Sequence, residues 1–175
     1  MTCPKTLILV RHSQAGDAEA FARTGQEDQL RPLTPRGVAR MDEAALGLAT
    51  LLKGDVALFT SPYVRARQTT EILARALPAR AVEETPELVP EADPARQMAW
   101  LRGLGKALPS TLILVGHEPN LSLLAGWLLT GRRHAPVRMK KGGACAFALE
   151  KDCREGGAVL QWLLTQRQLR LLQPH

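Results

Sequence analysis

The sequence predicts an α/β fold with a mostly parallel sheet and one antiparallel edge strand. Three observations predict it. The stretch Thr6-Leu7-Ile8-Leu9-Val10-Arg11-His12 returns as Thr111-Leu112-Ile113-Leu114-Val115-Gly116-His117, identical at six of seven positions. Each copy is an uninterrupted apolar run ending at a polar break, the pattern of a strand buried on both faces. A third such run, Val56-Ala57-Leu58-Phe59-Thr60, lies between two amphipathic helical patterns, and strands alternating with helices build parallel sheets. Near the end, Gly156-Gly157 separates two strand patterns, Ala144 to Leu149 and Val159 to Thr165, as in a hairpin.

The elements follow in order. After the first strand, Ser13 to Arg31 is a polar, irregular loop with a helical turn around Asp17 to Ala22. Thr34-Pro35 then supplies an N-cap and a first helical residue. Val38, Met41, Ala45, Leu48 and Leu52 form one apolar face, and Gly54 closes that helix. Ser61-Pro62 ends the second strand at another helix start. Ala66, Thr69, Ile72, Leu73 and Leu77 line the inner face of this helix, which Pro78 stops. Residues 81–92 read as a short strand and an acidic loop. Asp93-Pro94 caps a helix with Met98, Leu101, Leu104 and Leu108 inward. Past the repeated strand, Glu118-Pro119-Asn120 turns into a helix from Leu121 to Leu129, ended by Gly131. The tail from Arg170 to His175 reads as loose. No linker divides residues 1–175, which read as a single domain.

The chemistry gathers at one edge. If the twin strands are neighbours, His12 and His117 both emerge at the carboxyl end of the sheet, where open α/β sheets bind ligands. Arg11 precedes the first histidine, and Arg65 lies in the first turn of the helix that starts at the same edge. Two arginines and two histidines facing one point suit a dianionic phosphoryl group, since guanidinium forks bind its oxygens in pairs. A neutral imidazole is also a nucleophile toward phosphorus. A metal centre would need further ligands, and the adjacent arginines repel a cation, so no metal or other cofactor is expected.

Composition narrows the class. No apolar run approaches the roughly 20 residues that span a bilayer, and neither a leader nor an anchor is read at the amino terminus, so no membrane partner is expected. Cys3, Cys145 and Cys153 make an odd count without C-x-x-C spacing. Neither a disulfide framework nor a zinc site is expected, and a cytoplasmic location fits. The net charge of +6 includes a cluster at Arg132, Arg133, Arg138, Lys140 and Lys141. With one tyrosine and no aromatic-rich strand, the charge suits an anionic substrate or an acidic protein better than nucleic acid.

Four stretches, in this order and spacing, carry a family resemblance: Leu9-Val10-Arg11-His12, Leu33-Thr34-Pro35-Arg36-Gly37, Ser61-Pro62-Tyr63-Val64-Arg65-Ala66-Arg67-Gln68-Thr69, and Val115-Gly116-His117-Glu118-Pro119. Together they resemble the histidine phosphatase superfamily. The short chain, the Arg31-Pro32-Leu33-Thr34 entry and the Lys140-Lys141-Gly142-Gly143 lead-in resemble its SixA-type phosphohistidine phosphatases. The resemblance implies a phosphoglycerate mutase-like, three-layer α/β/α sandwich. It implies that His12 is the nucleophile, that Arg11, Ser13, Arg65 and His117 bind the phosphoryl group, and that no metal takes part. A nucleophilic His12 must be neutral, a state that nearby arginines favour by lowering its pKa. For the general acid the resemblance points to the region after the Arg65 helix, where Glu87 is the first candidate and Asp17 and Glu118 stand behind it. The implied substrate is phosphohistidine in a phosphotransfer or signalling protein. Small-metabolite phosphate esters are the alternative, and a non-catalytic phosphate-binding module is a third reading.

Overall fold

The apolar repeat becomes the centre of the sheet. The computed structural model describes residues 4–104, 109–150 and 153–174. Strands β1 (Thr6–Arg11), β2 (Val56–Thr60), β3 (Ala79–Glu84), β4 (Thr111–Gly116), β5 (Ala144–Leu149) and β6 (Ala158–Leu164) form one sheet in the order β3-β2-β4-β1-β5-β6. The twin strands β1 and β4 pair in parallel, residue for residue, from Thr6 with Thr111 to Arg11 with Gly116. The antiparallel edge is the β5–β6 hairpin: β5 runs against both β1 and β6, and β6 closes the sheet.

Alternation along the strands makes three layers. Ile8 and Val10 pack on one face beneath α2 (Pro35–Thr50), α3 (Val64–Ala76) and α6 (Gln166–Leu171). Leu7, Leu9 and Phe59 pack on the other beneath α4 (Pro94–Gly103) and α5 (Asn120–Thr130). A fully buried central strand needs both faces covered, which is why β1 and β4 carry no polar residue between their ends. A short α1 (Ala18–Ala22), capped by Asp17, and a 3-10 turn at Asp28–Leu30 lie in the loop after β1.

Differences from the sequence expectation are local. Helix α2 ends at Thr50, and Gly54 serves the following turn with φ +75°. Leu108 lies outside the described residues. The tail is not loose through its first part: Thr165 and Gln168 form a capping box that starts α6, and Leu169 is fully buried. Cys153 is disulfide-bonded, against the expectation of no bridge, whereas Cys145 is free and buried. An odd cysteine count leaves room for one bridge, and the bond removes the cysteine argument for a reducing compartment. Among the described residues, no helix is long and apolar enough to cross a membrane.

Helix α6 depends on one glycine. A Cβ on Gly47 of α2 would collide with the Leu169 carbonyl, a backbone atom that cannot swing aside. Gly47→Ala is expected to cost about 2 kcal/mol through this overpacking. Gly103 has open space within 4 Å of where a Cβ would stand, and serves as the control. Urea unfolding checks the pair: the midpoint drops for Gly47→Ala and holds or rises for Gly103→Ala.

Candidate active site

Parallel pairing of the twin strands delivers both histidines to the same place. The backbone N–H of His12 donates to the Gly116 carbonyl at 3.0 Å, continuing the ladder one residue past Arg11. The two imidazole centroids are 5.0 Å apart, with planes inclined by 55°. Arg65, one residue into α3, reaches the same cavity from the end of β2. This cavity, about 620 Å³, is lined by Arg11, His12, Arg65 and His117, with Arg31, Lys141, Asp17, Asp28, Glu91 and Glu118 among its other walls.

The hydrogen bonds fix each ring. His12 Nδ1 lies 2.7 Å from the Ser13 carbonyl, which can only accept, so Nδ1 carries the proton and Nε2 keeps a bare lone pair. His117 Nε2 lies 2.9 Å from Ser61 Oγ, which accepts from the Tyr63 backbone N–H at 3.3 Å. Ser61 Oγ already accepts from Tyr63, so its hydroxyl proton is available to Nε2, which puts the His117 proton on Nδ1. That Nδ1 is buried and has no partner among the described residues, and neither have Arg11 Nε and Arg65 Nε. All three nitrogens belong to residues that line the cavity, and buried polar atoms without partners are uncommon in folded proteins.

The arginines are held from behind. Arg11 donates through one terminal nitrogen to the Met139 carbonyl at 2.9 Å. Arg65 is 4% exposed, donates to the Asp28 carbonyl at 2.8 Å, and pairs with the Asp28 carboxylate at 3.0 Å. Asp28 also binds Arg31 Nε at 2.7 Å, so one carboxylate braces two cations. The Tyr63 ring packs 4.8 Å from the Arg65 guanidinium and flanks the edge of His117.

Burial sets the charge state of the histidines. It pushes His12 down from 6.5 to about 3, with Arg65, Arg11 and Lys141 lowering it further and the Ser13 carbonyl opposing. His117 falls to about 2, again through burial first and then the neighbouring His12 and Arg65. Both rings are therefore neutral at pH 7. The unfolded chain takes up protons at these residues below about 6.5 while the folded chain does not, so stability is complete above 6.5 and is lost as pH falls toward 3. Urea midpoints are expected to fall between pH 7 and pH 4.5, and His12→Asn/His117→Asn is expected to flatten that slope. An unchanged slope in the double variant would assign the effect to other groups.

Sequence reasoning places Arg11, His12, Arg65 and His117 together, and the structure brings them together. Asp17 and Glu118 also reach the cavity wall, Glu118 with Oε1 engaged by Ser122 and the Met139 N–H. Two expectations need correction. Ser13 is fully buried and does not line the cavity: its hydroxyl donates to the Gly37 carbonyl and accepts from Gln166 Nε2 at 2.9 Å. Glu87 also lies off the cavity, its carboxylate tied to Arg96 at 2.8 Å. The acid that the 3-10 turn Pro86–Leu88 leads toward the cavity is Glu91, four residues on. The members that sequence reasoning misses are thus Glu91, Asp28 and Arg31. Their only signals in sequence are the acidic run before Asp93 and the Arg31-Pro32-Leu33-Thr34 stretch.

Comparison with known proteins shows the family and the fold. A family model for the histidine phosphatase superfamily, branch 1, matches residues 7–91. A protein of Picosynechococcus sp. is 34% identical over 89% of this chain and 88% of its own length. The phosphohistidine phosphatase SixA of Escherichia coli is 28% identical over 94% of this chain and 96% of its own. A solved structure of the protein histidine phosphatase SixA complexed with tungstate superposes with a TM-score of 0.79 at 23% identity, covering 94% of this chain and 99% of that one. The fold is therefore that of SixA, and the chain is a phosphatase belonging to the histidine phosphatase superfamily.

Proposed function

We propose that residues 1–175 act as one catalytic domain that dephosphorylates phosphohistidine in a phosphotransfer or signalling protein, through a phosphohistidine intermediate on His12. The observation that carries the proposal is the locked tautomer of His12, with Nε2 bare in a cavity that Arg11, Arg65 and His117 also line. The Nε2 lone pair forms a bond to phosphorus as the substrate's P–N bond breaks. The departing imidazole takes one proton from solvent, and the water that attacks in the second step returns one to solvent. Water then attacks the same phosphorus, the His12 N–P bond breaks, and inorganic phosphate leaves. In both steps negative charge sits on the equatorial oxygens of a loose transition state, so the fixed cations supply most of the stabilisation. No step calls for a metal or other cofactor.

The likeness to Escherichia coli SixA over nearly its whole length supports this substrate. So does the chemistry: exchanging one P–N bond for another asks little of a general acid, whereas an alkyl phosphate needs a well-placed one. Glu91 at the cavity wall favours a second reading, hydrolysis of small phosphate esters. Phosphate release from a histidine-phosphorylated phosphocarrier protein, measured beside a panel of small esters and in EDTA, separates the two. The first reading predicts that the protein substrate is turned over far faster; turnover of the esters alone would replace it with the second.

Variants sharpen the comparison. Glu91→Gln is expected to lower alkyl phosphate turnover by about 100-fold while phosphohistidine turnover changes by less than about threefold. Glu87→Gln, whose carboxylate faces Arg96, is expected to change neither rate. Equal losses in Glu91→Gln on both substrates would give Glu91 a role in binding rather than in protonating the leaving group.

A further inference from the structure

Most surface arginines of this protein are paired: Arg23, Arg67, Arg75, Arg80, Arg96, Arg102, Arg133, Arg154 and Arg170 each meet a carboxylate. A group of cations at the margin of the catalytic cavity is not. Arg138, Lys140, Lys141 and Arg167 are exposed and have no ion pair among the described residues. Arg138, Lys140 and Lys141 come from one short stretch and Arg167 from α6, and all four line cavities that adjoin the catalytic one. Lys140, Lys141 and Arg167 line a cavity of about 560 Å³ that shares Lys141 with the catalytic cavity. Arg138 lines another, of about 510 Å³, that shares Arg11 and Glu118 with it.

The segments that carry these cations are tied to the catalytic backbone. The Gly142 N–H, at φ +69°, is shared between the Arg11 and His12 carbonyls at 3.1 Å. Gln166, next to Arg167, bonds Ser13. The charges are thus held at a fixed distance from His12 rather than carried on a swinging loop. The catalytic cavity itself also carries carboxylates, Asp17, Asp28, Glu91 and Glu118. An incoming surface meets a field with direction as well as strength.

Resting on the phosphohistidine reading above, we infer that Arg138, Lys140, Lys141 and Arg167 form a docking surface for an acidic face of the protein that carries the phosphohistidine. The apolar component fits a folded protein rather than a nucleic-acid backbone, because Leu171, 74% exposed, lines the same groove as Lys140 and Arg167. A small ester needs only the catalytic cavity and does not touch this surface. Docking charges at the rim act mainly on the rate of encounter, and their effect fades as salt rises.

The test uses the triple variant Arg138→Glu/Lys140→Glu/Arg167→Glu, with Lys141 left intact because it also lines the catalytic cavity. The substrates are a histidine-phosphorylated phosphotransfer domain with acidic residues around its histidine, and phosphoimidazole. The expected result is a kcat/KM lower by about 10- to 100-fold on the domain at low salt, with the gap narrowing as salt rises, and phosphoimidazole turnover unchanged. An unchanged rate on the domain, or an equal loss on both substrates, overturns the docking surface while leaving the activity reading in place. Failure of the wild-type protein on both phosphohistidine substrates overturns the reading and the surface with it. Tight binding of single-stranded DNA that the triple variant loses, with phosphodomain turnover unaltered, would reassign the surface to nucleic acid.

Discussion

Replacing His12 with alanine is expected to lower kcat by on the order of 10⁴-fold or more on every substrate the enzyme accepts. On the proposed mechanism the loss removes the atom that bonds to phosphorus, and no neighbour substitutes for it. His117 is the only other imidazole at the cavity among the described residues, and its Nε2 is engaged by Ser61. The variant should remain folded. His12 contributes a small, neutral, buried ring with one hydrogen bond to Ser13, worth about 1 kcal/mol. Steady-state kinetics together with a thermal melt check both halves. A variant that unfolds would make the rate uninformative, and His12→Asn then serves in its place.

Replacing Arg65 with alanine is expected to cost on the order of 10³-fold in kcat/KM, with most of the loss in kcat. Arg65 is nearly buried beside His12 and His117, where the absence of screening water makes its charge effective. Its removal does more than delete a cation. Asp28 loses the Arg65 pairing and, held by Arg31 alone, turns more uncompensated negative charge toward the cavity that the proposed mechanism has the phosphoryl group enter. The double variant Arg65→Ala/Asp28→Ala should therefore be less impaired than the sum of its parts, a coupling that a double-mutant cycle reads directly. Arg65→Lys is expected to rescue poorly. An ammonium cannot span Asp28 on one side and a phosphoryl oxygen on the other as the planar fork does.

The parts of the molecule that are legible in sequence are those whose signal is local or duplicated. The repeated apolar strand announces both its burial and its pairing, since two copies of one sequence in adjacent register bring their terminal histidines together. Thr34-Pro35 and Asp93-Pro94 announce helix starts because capping is a matter of a few consecutive residues. What escapes is set by distant chain. Helix α6 is short and packs across α2 only because Gly47 admits the Leu169 carbonyl, a relation between residues far apart in the chain. Glu87 and Glu91 are close neighbours in sequence, yet Arg96 draws the first outward while the turn carries the second to the cavity. Ser13 adjoins the nucleophile in the chain, but its hydroxyl is claimed by Gly37 and Gln166 on the helix side. The neutrality of His12 is legible too, but with the wrong leading cause: burial outweighs the arginines.

The covalent intermediate is the central claim, and a rapid-quench experiment tests it most directly. Enzyme mixed with substrate labelled at phosphorus is stopped in alkali within the first turnover, digested, and its peptides are mapped. The expected result is label on the peptide containing His12, stable to alkali and released by acid as a phosphoramidate is, appearing and decaying as fast as steady-state turnover. Label on any other residue, or release of phosphate at full rate with His12 never labelled, would contradict it.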